Sequence, residues 1–139
     1  MKLKSLQPIL LGAALALPAF AFAVSLPATK TQGDITYLSG GAGHDEAQAI
    51  QQAEKEWPLA LEFAIKAKPH NEFTSNVKVM IQDEKGKTVL DTMSDGPFVL
   101  VKLTPGKYVV TAERSGHTIE RHVTVTSHGH RRQVFIWAS

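Results

Sequence analysis

From Leu59 onward the chain alternates apolar and polar residues with a period of two. Leu59, Leu61, Phe63 and Ile65 fall on one side of the repeat, with Ala60, Glu62, Ala64 and Lys66 on the other. That is the pattern of a strand with one buried and one wetted face. Similar stretches recur at Val77–Ile81, Thr88–Asp91, Phe98–Leu103, Tyr108–Ala112, Thr118–Thr126 and Gln133–Ala138. Between them stand turn formers: Asp83-Glu84-Lys85-Gly86, Ser94-Asp95-Gly96-Pro97, Thr104-Pro105-Gly106, Ser115-Gly116 and Ser127-His128-Gly129-His130. Seven short strands with turns at intervals of roughly 8 to 14 residues predict a mainly β fold, a seven-stranded antiparallel β-sandwich. The connections are too short to hold the crossover helices of a parallel α/β sheet.

Upstream of Leu59 the period changes. Ala47, Ile50, Ala53 and Trp57 recur at near-helical spacing, Asp45 and Glu46 sit in the first turn where negative charge suits the helix dipole, and Pro58 stops the run. This predicts one N-terminal helix, entered from a short extended segment, Asp34–Leu38, through Ser39-Gly40-Gly41-Ala42-Gly43. The glycine run lacks the G-x-x-x-x-G-K-[ST] pattern and the βαβ setting of a phosphate loop, so it reads as a sharp, closely packed strand-to-helix turn. Residues 24–33 show no periodicity and read as a flexible lead-in.

The first residues add an address. Lys2 and Lys4 precede an apolar run from Pro8 to Leu17, then Pro18 and Ala21-Phe22-Ala23, the layout of a secretory signal peptide with cleavage after Ala23. The alternative is an uncleaved anchor, because Ala19 to Ala23 lengthen the apolar run. The expected organisation is a signal peptide over 1–23, the lead-in over 24–33, strand, glycine loop and helix over 34–58, and the sandwich over 59–139. The mature protein is then periplasmic or secreted, with no stable membrane span.

Cysteine is absent from the 139 residues, which excludes a lipid-modified cysteine and disulfide staples. Removing 23 residues leaves 116, enough for a core without them. Without Lys2 and Lys4 the chain carries 13 basic against 13 acidic residues, a balance that argues against nucleic acid as a partner.

Ser94-Asp95-Gly96-Pro97-Phe98-Val99-Leu100, Leu103-Thr104-Pro105-Gly106-Lys107-Tyr108-Val109-Val110 and Ala112 resemble the carboxypeptidase regulatory-like domain, of the small exported bacterial type. The family's "D-G-x-F…L-P-P-G-x-Y" signature would be carried here by Asp95, Gly96, Phe98, Leu103, Pro105, Gly106 and Tyr108, with Thr104 in place of the first proline. The resemblance covers residues 59–137 and implies a transthyretin-like, or prealbumin-like, β-sandwich. The stretch from Tyr37 to Glu46 looks like the N-terminal segment of such exported proteins. No activity comes with the resemblance. The related hydroxyisourate hydrolase needs a C-terminal Tyr-Arg-Gly-Ser tetrapeptide, whereas this chain ends Phe135-Ile136-Trp137-Ala138-Ser139. In zinc carboxypeptidases the metal ligands lie in a separate catalytic domain. Physically, Pro105 presets φ and Gly106 accepts a conformation other residues resist, while Tyr108 buries its ring and extends its hydroxyl to a partner.

Four of the six histidines fall between His117 and His130, near Arg114, Arg121, Arg131 and Arg132. Imidazole suits zinc and copper, and His128-Gly129-His130 offers a pair one residue apart, with His122 as a third ligand. Arg121, Arg131 and Arg132 form a candidate anion patch, partly neutralised by Glu113 and Glu120. The sequence thus reads as a non-catalytic exported accessory or binding module whose partner is an unidentified protein or an envelope polymer. It needs no cofactor on this reading. The alternatives are a histidine-based periplasmic metal binder using zinc or copper, and a small hydrolase.

Overall fold

A computed structural model describes residues 25–139; the expected signal segment and the bond after Ala23 lie outside them. The described residues form ten strands and one α-helix: β1 (Lys30–Gln32), β2 (Ile35–Gly40), α1 (His44–Ala53), β3 (Leu59–Ile65), β4 (Glu72–Phe73), β5 (Lys78–Asp83), β6 (Thr88–Met93), β7 (Phe98–Lys102), β8 (Gly106–Arg114), β9 (His117–Val125) and β10 (Arg131–Trp137). Glu54–Glu56 extend α1 as one 3₁₀ turn. The fold is mainly β, in two sheets. The first runs β1-β2-β7-β3-β10, with β4 beside the far end of β3, and the second runs β6-β5-β8-β9.

The expected count of seven strands is corrected to ten. All seven alternating segments form strands, and β1, β2 and β4 join them. Two or three residues are too few to show a period, so β1 and β4 exist through their neighbours. Lys30↔Tyr37 and Gln32↔Ile35 pair across a turn at Gly33, and Phe73 and Glu72 pair with Ala64 and Ile65. The lead-in therefore contains a strand. The helix also ends earlier than expected, since α1 tightens into the 3₁₀ turn before Trp57, whose backbone is extended.

A second correction concerns direction. β10 lies parallel to β3, in register from Arg131↔Leu59 to Trp137↔Ile65, so the pairing is not wholly antiparallel. The whole second sheet is inserted between these two strands, and the chain crosses back at residues 126–130 already heading the way β3 runs.

One core lies between the sheets, with Leu59, Leu61, Phe63, Val99, Val101 and Phe135 of the first facing Val79, Ile81, Leu90, Val110, Ala112 and Val123 of the second. Phe63, Phe135 and Trp137 cluster with ring centroids 5.7–6.4 Å apart, within the range of favourable aromatic pairs. A smaller core lies outside the first sheet, where Ala47, Ile50 and Trp57 cover Leu38, Ala60, Phe98 and Leu100. The expected wetted face of β3 is thereby corrected: Ala60, Glu62 and Ala64 are buried beneath or beside the helical layer.

The glycine loop makes that layer possible. Gly41 has φ +93°, and a Cβ there would strike the Phe98 ring. Its amide donates to Glu46 Oε1 at 2.7 Å, which ties the loop to the first helical turn. Gly96 lies so close to the backbone of Gly40 that a side chain would overlap it.

Candidate functional site

Three turns gather at one end of the two-sheet body: Gly33–Asp34, Asp83–Gly86 and Leu103–Pro105. A depression of about 430 Å³ lies among them, lined in part by Asp34, Ile35, Lys87, Lys102 and Thr104. A second, about 410 Å³, opens onto the outer face of the second sheet beside Gln82, Lys107, Val109 and His122. A third of about 200 Å³ sits by Lys85 and Pro105. Asp83 and Tyr108 line all three. Both are anchored. The Tyr108 hydroxyl donates to the Thr104 carbonyl at 2.7 Å, and Asp83 Oδ1 accepts from the Lys85 and Lys87 amides at 2.9 Å each. They hold the turns in shape, and Lys85, Lys87, Lys102 and Lys107 stand there among Asp34 and Glu84, so the loop end carries charges of both signs.

The signature residues have structural partners. Phe98 is fully buried and meets Phe73 edge-on at 5.1 Å, and Leu103 joins the main core. Asp95 accepts from Lys30 Nζ at 2.8 Å while its amide donates to Ser39 Oγ at 2.7 Å. Lys30 in turn holds its proton more tightly because of Asp95. Pro105 and Gly106 turn the chain from β7 into β8, and Gly96 abuts Gly40.

The histidines and arginines spread over the surface. His128 and His130 are exposed on the 126–130 loop. His122 projects from the middle of β9, opposite Val109, with Nε2 3.2 Å from Glu120 Oε2. Among the described residues no three His, Asp or Glu side chains are arranged to hold a metal ion. Arg121 donates to the Glu120 carbonyl at 2.9 Å. Arg131 and Arg132 are consecutive in β10, so they leave it on opposite faces.

Arg132 leads to a cluster that the sequence did not reveal. Its Nη2 donates to Glu62 Oε1 from β3, and its Nε lies 3.5 Å from Glu54 Oε1 on the 3₁₀ turn. Both carboxylates are largely buried, with side chains 14% exposed for Glu54 and 12% for Glu62, against 48% for Arg132. Burial raises the pKa of Glu54; Arg132 opposes that rise, Glu62 adds to it and His130 opposes it. The second Glu54 oxygen, Oε2, is shut off from solvent without a hydrogen-bond partner among the described residues. The one available signal was Glu62 itself, a lone acid in an apolar strand.

Neither a protein-family model nor a curated protein matches the chain. Among the described residues no helix is long and apolar enough to cross a membrane.

Proposed function

We propose that this chain is an exported, non-catalytic accessory module of the carboxypeptidase regulatory-like kind, a transthyretin-like sandwich that binds a protein or an envelope polymer in the periplasm or outside the cell. The observation that carries the reading is the exposed, charged rim where the edge strands β9 and β10 lie side by side. At the β6 edge one residue is occupied, Asp91, where Gln32 from β1 donates to its carbonyl at 3.0 Å and accepts from its amide at 2.7 Å. Elsewhere on the body β9 and β10 run beside one another, and among the described residues each ends its sheet with one strand partner; Trp137 Nε1 donates to the His117 carbonyl at 2.9 Å. Edge strands present backbone donors and acceptors to an incoming chain. Here His117, Glu120, Arg121, His122 and Arg131 surround them with exposed charge and polarity.

The native chain has no cysteine, so single-cysteine labelling is clean. Arg121→Cys and Arg131→Cys, carrying a cleavable crosslinker in the exported fraction, are expected to capture the same partner, whereas Thr88→Cys, exposed on β6 at the opposite end of the second sheet, captures none. Equal capture from all three positions, or no capture together with turnover in a broad hydrolase screen, overturns the proposal.

A further inference from the structure

The Glu54–Arg132–Glu62 cluster joins three elements: the 3₁₀ turn that closes the helical layer, β10 and β3. One guanidinium serves two mostly buried carboxylates, and its closer partner is Glu62. When both acids are ionised the cluster carries one surplus negative charge, and Glu54 Oε2, shut off from solvent, has no hydrogen-bond donor among the described residues. An uncompensated charge in such a place is strongly unfavourable. Protonation of Glu54 changes the balance. It leaves one Arg132–Glu62 ion pair beside a neutral acid, and no charge lacks a partner.

We propose that Glu54, Arg132 and Glu62 form a proton-operated clasp, closed when Glu54 is protonated and loosened when it ionises, that fastens the helical layer to the first sheet. What the clasp covers gives it a consequence. Trp57 follows the turn directly and, with Ile50 and Ala47, shields Leu38, Ala60, Phe98 and Leu100. Loosening the turn exposes the edge of that apolar surface, so the module presents a different outer face as the surrounding pH changes.

The charged groups that act on Glu54 are Arg132 from β10, Glu62 from β3 and His130 from the 126–130 loop, with Lys55 and Glu56 beside it on its own turn. The sign follows from burial. Because the folded protein holds Glu54 above the ordinary 4.5, its contribution to stability is fully present below that value and is lost as pH rises through the higher folded value.

The test is hydrogen exchange of the 44–57 segment between about pH 4 and 8, corrected for the intrinsic pH dependence of amide exchange. Protection is expected to fall in one step as pH rises, while β5 and β8 stay protected. Glu54→Gln is expected to abolish the step and keep the segment protected, and His130→Gln to leave a step in place. Glu62→Gln, which removes the neighbouring negative charge, shifts the midpoint down. Flat protection in the native chain, a step retained in Glu54→Gln, a step lost in His130→Gln, or an unmoved midpoint in Glu62→Gln would each overturn the clasp.

Discussion

β3 and β9 are both regular strands, yet they live in different solvents. Every residue of β3 except Ile65 is buried, because the main core lies on one side and the helical layer or its ion cluster on the other. In β9 only Val123 and Val125 are buried, and among the described residues no second layer covers the outer face of its sheet. The hydrogen-bonding pattern of a strand is the same in either place. What differs is how many faces have something to bury them, and this decides where a charge is tolerated. Glu120 on β9 stands exposed beside His122, whereas the buried Glu62 on β3 is paired with Arg132.

The sharpest way to break this comparison is to empty one layer. Phe98→Ala removes the ring seated between Gly41, Ile50 and Phe73 and is expected to cost about 3–5 kcal/mol in chemical denaturation. Val109→Ala, half-buried on the open face of the second sheet, is expected to cost only about 0.5–1 kcal/mol. Similar losses for the two would mean that the helical layer adds no second core.

A smaller effect sharpens the same contrast at the layer's seam. Gly96→Ala forces a methyl group against the Gly40 backbone, with an expected cost of about 1–3 kcal/mol; an unchanged thermal midpoint would show that the Gly40 loop yields. The smallest effect tests the β6 edge. Gln32→Ala removes both side-chain bonds to Asp91 and is expected to cost about 1 kcal/mol, with faster amide exchange at Asp91. Unaltered exchange there would show that Gln32 does not shield this edge.

Much of the body was legible because alternation is a local property. The segments at Val77–Ile81, Phe98–Leu103 and Tyr108–Ala112 correspond to β5, β7 and β8 within two residues at either end, and the stripe through Ala47, Ile50 and Trp57 does face a core. β1 and β4 were hidden because pairing alone creates them. At the candidate site, the sequence identified Tyr108 and its turn, whose hydroxyl indeed finds a nearby acceptor. It grouped Arg132 with Arg121 and Arg131 by proximity along the chain, whereas strand alternation sends Arg132 to the opposite face from Arg131, toward Glu54 and Glu62.

By itself the sequence determined where the longer strands and their turns form and which residues carry the tight corners, since period, proline and glycine act over a few residues. Only the tertiary structure decided that β10 lies parallel to β3, that both faces of β3 are buried, and that Glu54, Glu62 and Arg132 meet. Those facts depend on which distant segments become neighbours. That choice is made by the packing of whole layers, which bury a face that the local pattern had left to water.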